Sequence, residues 1–529
     1  MPASYKTPGV YLVEKDAFPG SVVEVATAIP AFIGYTEKAE YNGKDLTNKP
    51  FRITSFAEYL NVFGGAPSVR FTYSAASADA KPASEGEENA EEAASESAEA
   101  KDGNQKYVLK AKPMFRLYDS MRIFFQNGGA ACYVCSVGGY DKKIEKKPLM
   151  EGITPFVKEQ EPTLMLVPDA VSLDKAQECA DIQNELLGHC NKMQNRFTIL
   201  DVYDGYKEPL ECINTFREKM TDYLKYGAAY YPWIHTSVVA SSEVSFANIE
   251  PESEGNGSYA TLALDLAKSV VPRIESLNIS DDEAKKLNLT PREKELVRFF
   301  KELSNFDIKK DPTDLHNTLT VVCPKYAAMM NDMCEQLNLM APSAAMAGIY
   351  ARVDNNQGVW KAPANVGING VISPAVNLTN DEQEDLNVPL NGKAVNAIRY
   401  FVGDGIKAWG ARTLDGNSLD WRYVNVRRTM IMLEESIKQA SKGYVFEANT
   451  SKTWLSMSTM IGNFLYGIWK RGGLAGSTPE DAYEVHVGLG DTMTPEDILE
   501  GILRVTVKVA LIRPAEFIEL TFQQQQQKS

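Results

Sequence analysis

Apolar and polar positions change period repeatedly along this chain, and each change marks an element. Thr7-Pro8-Gly9 reads as a turn, and Val10, Tyr11, Leu12 and Val13 follow it as a short strand. Phe18-Pro19-Gly20 is a second turn before Val22 to Val25, and Ala31 to Tyr35 is another apolar strand. Leu117 to Phe125 has helical spacing and stops at Asn127-Gly128-Gly129, after which Ala131 to Val137 reads as a buried strand. Thr163 to Val167 is an apolar strand closed by Pro168. Asp174 to Met193 carries an apolar stripe through Cys179, Ile182, Leu186 and Cys190, and Phe197 to Leu200 is the next strand. A crossover of that length predicts parallel pairing in an α/β layer.

Residues 243–257 and 278–312 are polar and read as surface loops with one short amphipathic helix, Arg292 to Leu303. Near the end the signals sharpen. Met430, Leu433, Ile437 and Ala440 lie at helical spacing, with Gly443 placed to end the helix. Thr478-Pro479-Glu480-Asp481 and Thr494-Pro495-Glu496-Asp497 both read as an N-cap, a proline and first-turn acids. Arg504 to Leu511 alternates as a half-buried strand does, and a second strand follows Arg513-Pro514 through Phe517, Ile518, Glu519, Leu520, Thr521 and Phe522. The two end strands have no hairpin partner beside them. Their backbone groups therefore need a sheet edge elsewhere, and another copy of the chain can supply one.

Size and charge narrow the picture. At 529 residues the chain has room for two to four domains. A net charge of −15 repels phosphate backbones, so no direct nucleic-acid partner is expected. From Ser74 to Gln105, nine acids stand against two lysines, with no aromatic or β-branched residue; this reads as a disordered, solvent-facing insertion. The first residues lack the apolar run of a signal peptide, and no apolar stretch is long enough for a membrane span, so we expect assembly in the cytoplasm and no membrane insertion. Seven scattered cysteines fit reduced thiols.

Conventional catalytic chemistry is sparse. There is no phosphate-loop motif and no HExxH helix. Gly403-Asp404-Gly405 misses dinucleotide-loop spacing. Cys132 and Cys135 form a single CxxC without a second pair, and read as small apolar strand residues. Ser172 to Lys175 is an isolated SxxK, and His189, His235, His316 and His486 read as structural or surface histidines. No catalytic residue, cofactor or metal is expected. The alternative is an α/β enzyme of unknown activity, with Asp169 and Asp201 as its candidates at the ends of parallel strands.

The most informative stretch runs from Ala341 to Leu414. Pro342 to Arg352, Gly358 to Asn365 and Asn396 to Tyr400 continuing to Trp409-Gly410-Ala411-Arg412-Thr413 resemble the contractile tail sheath family of phages and related injection systems. The motif residues are Arg352, Trp360, Asn365, Arg399, Trp409 and Arg412. The three arginines suit carboxylate pairing, across an interface or within the subunit. The resemblance implies a mixed α/β chain: an inner α+β domain built from both termini, with an outer α/β domain inserted. On this sequence it implies an N-terminal linker arm at 1–25, an outer domain at 26–345 carrying the acidic insertion 74–105, an inner domain at 346–512 and a C-terminal linker arm at 513–529. It further implies a structural, non-enzymatic subunit that polymerises helically, with hexameric rings, around an inner tube and contracts to drive that tube through a target envelope. The implied partners are further copies, the inner tube protein, and baseplate and terminator or cap proteins. The implied setting is a phage tail or a released extracellular injection particle. Val426 to Lys442 and Thr453 to Lys470 are the candidate tube-facing helices.

Overall fold

A computed structural model describes residues 22–75, 107–111, 114–250, 259–306 and 312–520. Val10 to Val13, most of the acidic insertion, and Thr521 and Phe522 lie outside the described residues.

Among the described residues the centre is a nine-stranded sheet. From edge to edge it runs Val366–Gly367, Gly405–Trp409, Asn396–Phe401, Gly227–Tyr231, Phe197–Asp201, Leu164–Leu166, Pro30–Gly34, Cys132–Ser136 and Phe51–Ile53. The six strands from Asn396–Phe401 to Cys132–Ser136 are mutually parallel. Antiparallel strands close both flanks. All five residues of Pro30–Gly34, Cys132–Ser136, Phe197–Asp201 and Gly227–Tyr231 are buried, as expected of a parallel sheet covered on both faces. The expected helix between Leu164–Leu166 and Phe197–Asp201 is Ala176–Met193, and the two strands pair in parallel. The sheet also takes three strands from the chain beyond residue 345.

Close helix packing covers one face. Leu117–Gln126 and Ser343–Gln357 pack against each other at Gly348, where a Cβ would lie 2.6 Å from the Phe124 carbonyl and 2.8 Å from Asn127 Cβ. The small residues of the Ala344 to Ala351 run thus let two backbones approach, and every residue from Ser343 to Ala351 is buried.

Two further cores flank the sheet. One is helical: Ala260–Val270, Pro291–Ser304 and Pro324–Asn338 bury Leu262, Leu266, Phe300, Leu303, Tyr326 and Met333. The hairpin Phe71–Ala75 with Tyr107–Ala111, which carries the acidic insertion, adds Phe71 and Leu109 to this core. Within residues 278–312, which the sequence reads as surface loops with one helix at Arg292 to Leu303, that helix is found at Pro291–Ser304 and a short second one at Asp281–Lys286.

The third core joins helices Val424–Ser441 and Ser451–Lys470 to the hairpin Tyr483–His486 with Thr506–Val509. Both ends of the described chain pack on it: Val22 and Val25 from one, Val505 to Leu511 from the other. Gly443 does not adopt a left-handed cap; it sits inside a 3-10 turn, Lys442–Tyr444, that prolongs the first helix. Val22 to Val25 pairs with no strand among the described residues, and the Val25 N–H donates to Ser436 Oγ (3.1 Å).

Candidate assembly interface

Thr478 and Thr494 cap their short helices as expected, accepting from or bonding to Asp481 and Asp497, and so fix the ends of the Tyr483–His486 hairpin. Tyr483 faces Val509 and Val485 faces Val507, on the side packed against the third core. Glu484 and Lys508 form a cross-strand pair (3.0 Å) on the outer side, with His486 between Glu484 (3.2 Å) and Asp491 (3.3 Å). A two-stranded sheet is marginal alone and gains from further strands. Among the described residues no third strand pairs with it.

The C-terminal arm leaves from this hairpin. The Ile512 carbonyl accepts from Asn425 Nδ2 (3.0 Å), and Glu516 pairs with Arg412 (2.5 Å). The next apolar side chains, Phe517, Ile518 and Leu520, are 76%, 78% and 73% exposed. Among the described residues, the part of the expected Phe517 to Phe522 strand that is seen, Phe517 to Leu520, pairs with no strand.

The N-terminal chain is pinned to the joint between the third core and the sheet. Arg428 donates to Asp354 Oδ2 (2.6 Å) and to the Thr27 carbonyl (2.9 Å), and Thr27 Oγ1 donates to the same carboxylate (2.6 Å). Glu24 meets Arg471 at 2.5 Å, and the Arg471 guanidinium lies 5.2 Å over the Trp360 ring.

The motif residues meet in no common cleft: Trp360 and Arg412 sit at these joints, and the others brace the main sheet. Arg352 donates to the Gly367 carbonyl (2.5 Å). Trp360 fills the space that Gly358 (φ +95°) leaves, where a Cβ would fall 2.4 Å from its ring. Asn365, at φ 56°, donates its N–H to the Ala408 carbonyl (2.7 Å). Trp409 stands against Phe401 with ring centres 4.4 Å apart. Arg399 finds amide and carbonyl oxygens on Asn380, Gln383 and Leu378, and Arg412 takes the intramolecular carboxylate of Glu516.

The alternative site, at the carboxyl ends of the parallel strands, is used for helix capping. Asp169 accepts the N–H groups of Tyr35 (2.7 Å), Arg116 (2.5 Å) and Leu117 (3.1 Å). Asp201 accepts the N–H (2.8 Å) and the hydroxyl (2.5 Å) of Ser343. Both are fully enclosed, and burial pushes each carboxyl up to about 6. They start the helices Leu117–Gln126 and Ser343–Gln357 and face no open cleft. Cys132 and Cys135 are buried strand residues whose thiols burial pushes up, Cys135 to about 12. His189 is pushed down to about 4 by burial, with the Arg196 guanidinium 3.1 Å away.

The model of the phage tail sheath protein central domain matches residues 307–414, and that of the phage tail sheath C-terminal domain matches 417–525. The chain belongs to the contractile tail sheath family. It is 29% identical to the tail sheath protein of Enterobacteria phage T4 over 193 residues, 36% of this chain and 28% of that protein. It is 33% identical to the tail sheath protein of Burkholderia phage BcepMu over 108 residues, 20% of this chain and 22% of that one. The aligned stretches thus span less than a third of either relative's length. The structural likeness covers more of the chain than these aligned stretches do. The sheath of an extracellular contractile injection system, PVC, in its contracted state superposes with a TM-score of 0.58 at 26% identity, covering 99% of both chains. The helical sheath of the anti-feeding prophage in its contracted state gives 0.57 at 25%, covering 99% of this chain and 100% of that one. Among the described residues no helix is long and apolar enough to cross a membrane.

Proposed function

We propose that the subunit polymerises helically around an inner tube and shortens, as one lattice, from a metastable extended state to drive the tube through a target envelope. The observation that carries this reading is that, among the described residues, one chain holds both a two-stranded hairpin with no third strand and an exposed apolar C-terminal segment outside any sheet. A strand passed from copy to copy, head to tail, does not close on itself and propagates a helix. In this reading Val10 to Val13 and Phe517 to Phe522 are the donated strands. On the same reading, residues 346–512, with both arms, are the inner domain and residues 26–345 the outer one, and the main sheet draws strands from both.

Of the two candidate helices, Val424–Ser441 is buried along most of its length, whereas Ser451–Lys470 keeps Lys452, Leu455, Thr459, Asn463, Tyr466 and Lys470 exposed along one side. Ser451–Lys470 is therefore the helix that meets the tube. Contraction draws on the difference between two lattices and needs no nucleotide. A bias of about 5.5 kcal/mol moves a two-state equilibrium from 1:99 to 99:1, and coupled subunits share it. Further partners in this reading are baseplate and terminator proteins, with copies arranged as hexameric rings in a phage tail or an extracellular injection particle.

Negative-stain electron microscopy of the full chain and of chains lacking residues 1–16 or 514–529 tests the proposal. Striated cylinders are expected from the full chain alone. Cylinders from both truncations, or closed shells from the full chain, would count against it.

A further inference from the structure

The C-terminal arm is fixed to its own subunit at two points. Through Ile512 it is bonded to the third core: Ala510 N–H donates to the Ala482 carbonyl (2.8 Å), Ala475 N–H to the Ala510 carbonyl (2.8 Å), and Asn425 Nδ2 to the Ile512 carbonyl (3.0 Å). Four residues later it is fixed to the end of the main sheet. Arg412 Nε donates to both carboxylate oxygens of Glu516 (3.0 and 3.2 Å) and Nη2 to Oε2 (2.5 Å). Tyr423 adds a hydroxyl bond to Oε2 (3.2 Å), and Arg412 Nη1 donates to the Asn387 carbonyl (3.1 Å).

Arg412 itself is held rigidly. Its N–H donates to Asn396 Oδ1 (2.7 Å), and Asn396 Nδ2 donates back to its carbonyl (2.8 Å). Its side chain is 4% exposed and that of Glu516 is 17% exposed. Between the two fixed points only Arg513, Pro514 and Ala515 intervene, and Pro514 restricts its own φ and that of its neighbour. Beyond Glu516 every described residue is exposed.

We propose that the Arg412–Glu516 ion pair is a tether that sets where the C-terminal arm leaves the subunit, so that Phe517, Ile518 and Leu520 reach a second copy of this chain in one register. The tether rests on the reading of the arm as a donated strand. A strand displaced by one residue turns its apolar side chains to the wrong face, so a loose root weakens pairing by allowing wrong registers and by adding entropy to be lost on docking. Arg412 and Glu516 act as positioning residues.

The test compares the full chain, Glu516→Ala, Glu516→Gln and a chain ending at Glu516. In the free Glu516→Ala subunit, amide exchange rises around residues 513–516 while that of the buried strands is unchanged. Its unfolding temperature stays within about 2 °C of the parent, because water reaches Arg412 once the arm lifts. The concentration needed for tube assembly rises by about tenfold or more. Glu516→Gln, which keeps the shape without the charge, moves it less and in the same direction. The chain ending at Glu516 does not assemble. Assembly of Glu516→Ala at the parental concentration, with the truncated chain inactive, overturns the tether alone. A loss of assembly that tracks a fall in unfolding temperature overturns it too, by making the pair a fold-stabilising contact. Normal assembly of the truncated chain overturns the strand-donation reading.

Discussion

Arg428 and Asp354 face each other at 2.6 Å with both side chains 3% exposed. One lies on the Val424–Ser441 helix of the third core, the other on the Ser343–Gln357 helix against the main sheet. The arginine also stands 4.6 Å over the Tyr350 ring and holds the Thr27 carbonyl. One ion pair therefore joins the two bodies and the incoming N-terminal chain.

Removing one member of such a pair leaves a buried charge uncompensated. Asp354→Ala is expected to cost about 3–5 kcal/mol, read from the denaturant midpoint, whereas Asp354→Leu with Arg428→Met is expected to be close to neutral. Equal losses in both variants would mean that the pair's geometry, not the stranded charge, sets the cost.

Gly348 gives a second prediction. Alanine is the better helix former by about 1 kcal/mol, but the new methyl would meet the Phe124 carbonyl at 2.6 Å, and backbone cannot swing away. Overpacking wins, so Gly348→Ala should lower stability by about 1–3 kcal/mol. A stabilised variant in urea titration would show that the two helices separate easily.

Asp201 makes a pH prediction. Its folded value near 6 lies above the unfolded value near 4, so between those limits the folded chain holds a proton that the unfolded chain has released. The contribution is fully present below about pH 4 and is lost as pH rises through about 6. The stability of the parent minus that of Asp201→Asn should therefore fall between pH 4 and 6, by about 3 kcal/mol at most, and stay level above. A difference that grows with pH would contradict the assigned burial.

Local periodicity carried much of the fold. The Phe197–Asp201 and Cys132–Ser136 strands, the Ala176–Met193 helix, the Thr478 and Thr494 caps and the Thr506–Val509 strand all announce themselves within a few residues. The helical body around Phe300 was less legible because its outer faces are charged. Ser280 with Glu283 and Thr290 with Glu293 form capping boxes whose spacing was a readable signal. Long-range pairing had no local trace: nothing near Asn396 shows that it lies parallel to Tyr230. The same holds for the interface. The motif marked Arg412, but its partner Glu516 lies 104 residues away and is joined to it only by the folded chain.

The central claim is that the chain ends are strands for other copies. A high-resolution electron-microscopy map of the assembled sheath tests it most directly. The account predicts Val10 to Val13 and Phe517 to Phe522 as strands laid against the Tyr483–His486 and Thr506–Val509 hairpin of neighbouring subunits. Both ends folded back onto their own subunit, touching no neighbour, would contradict it.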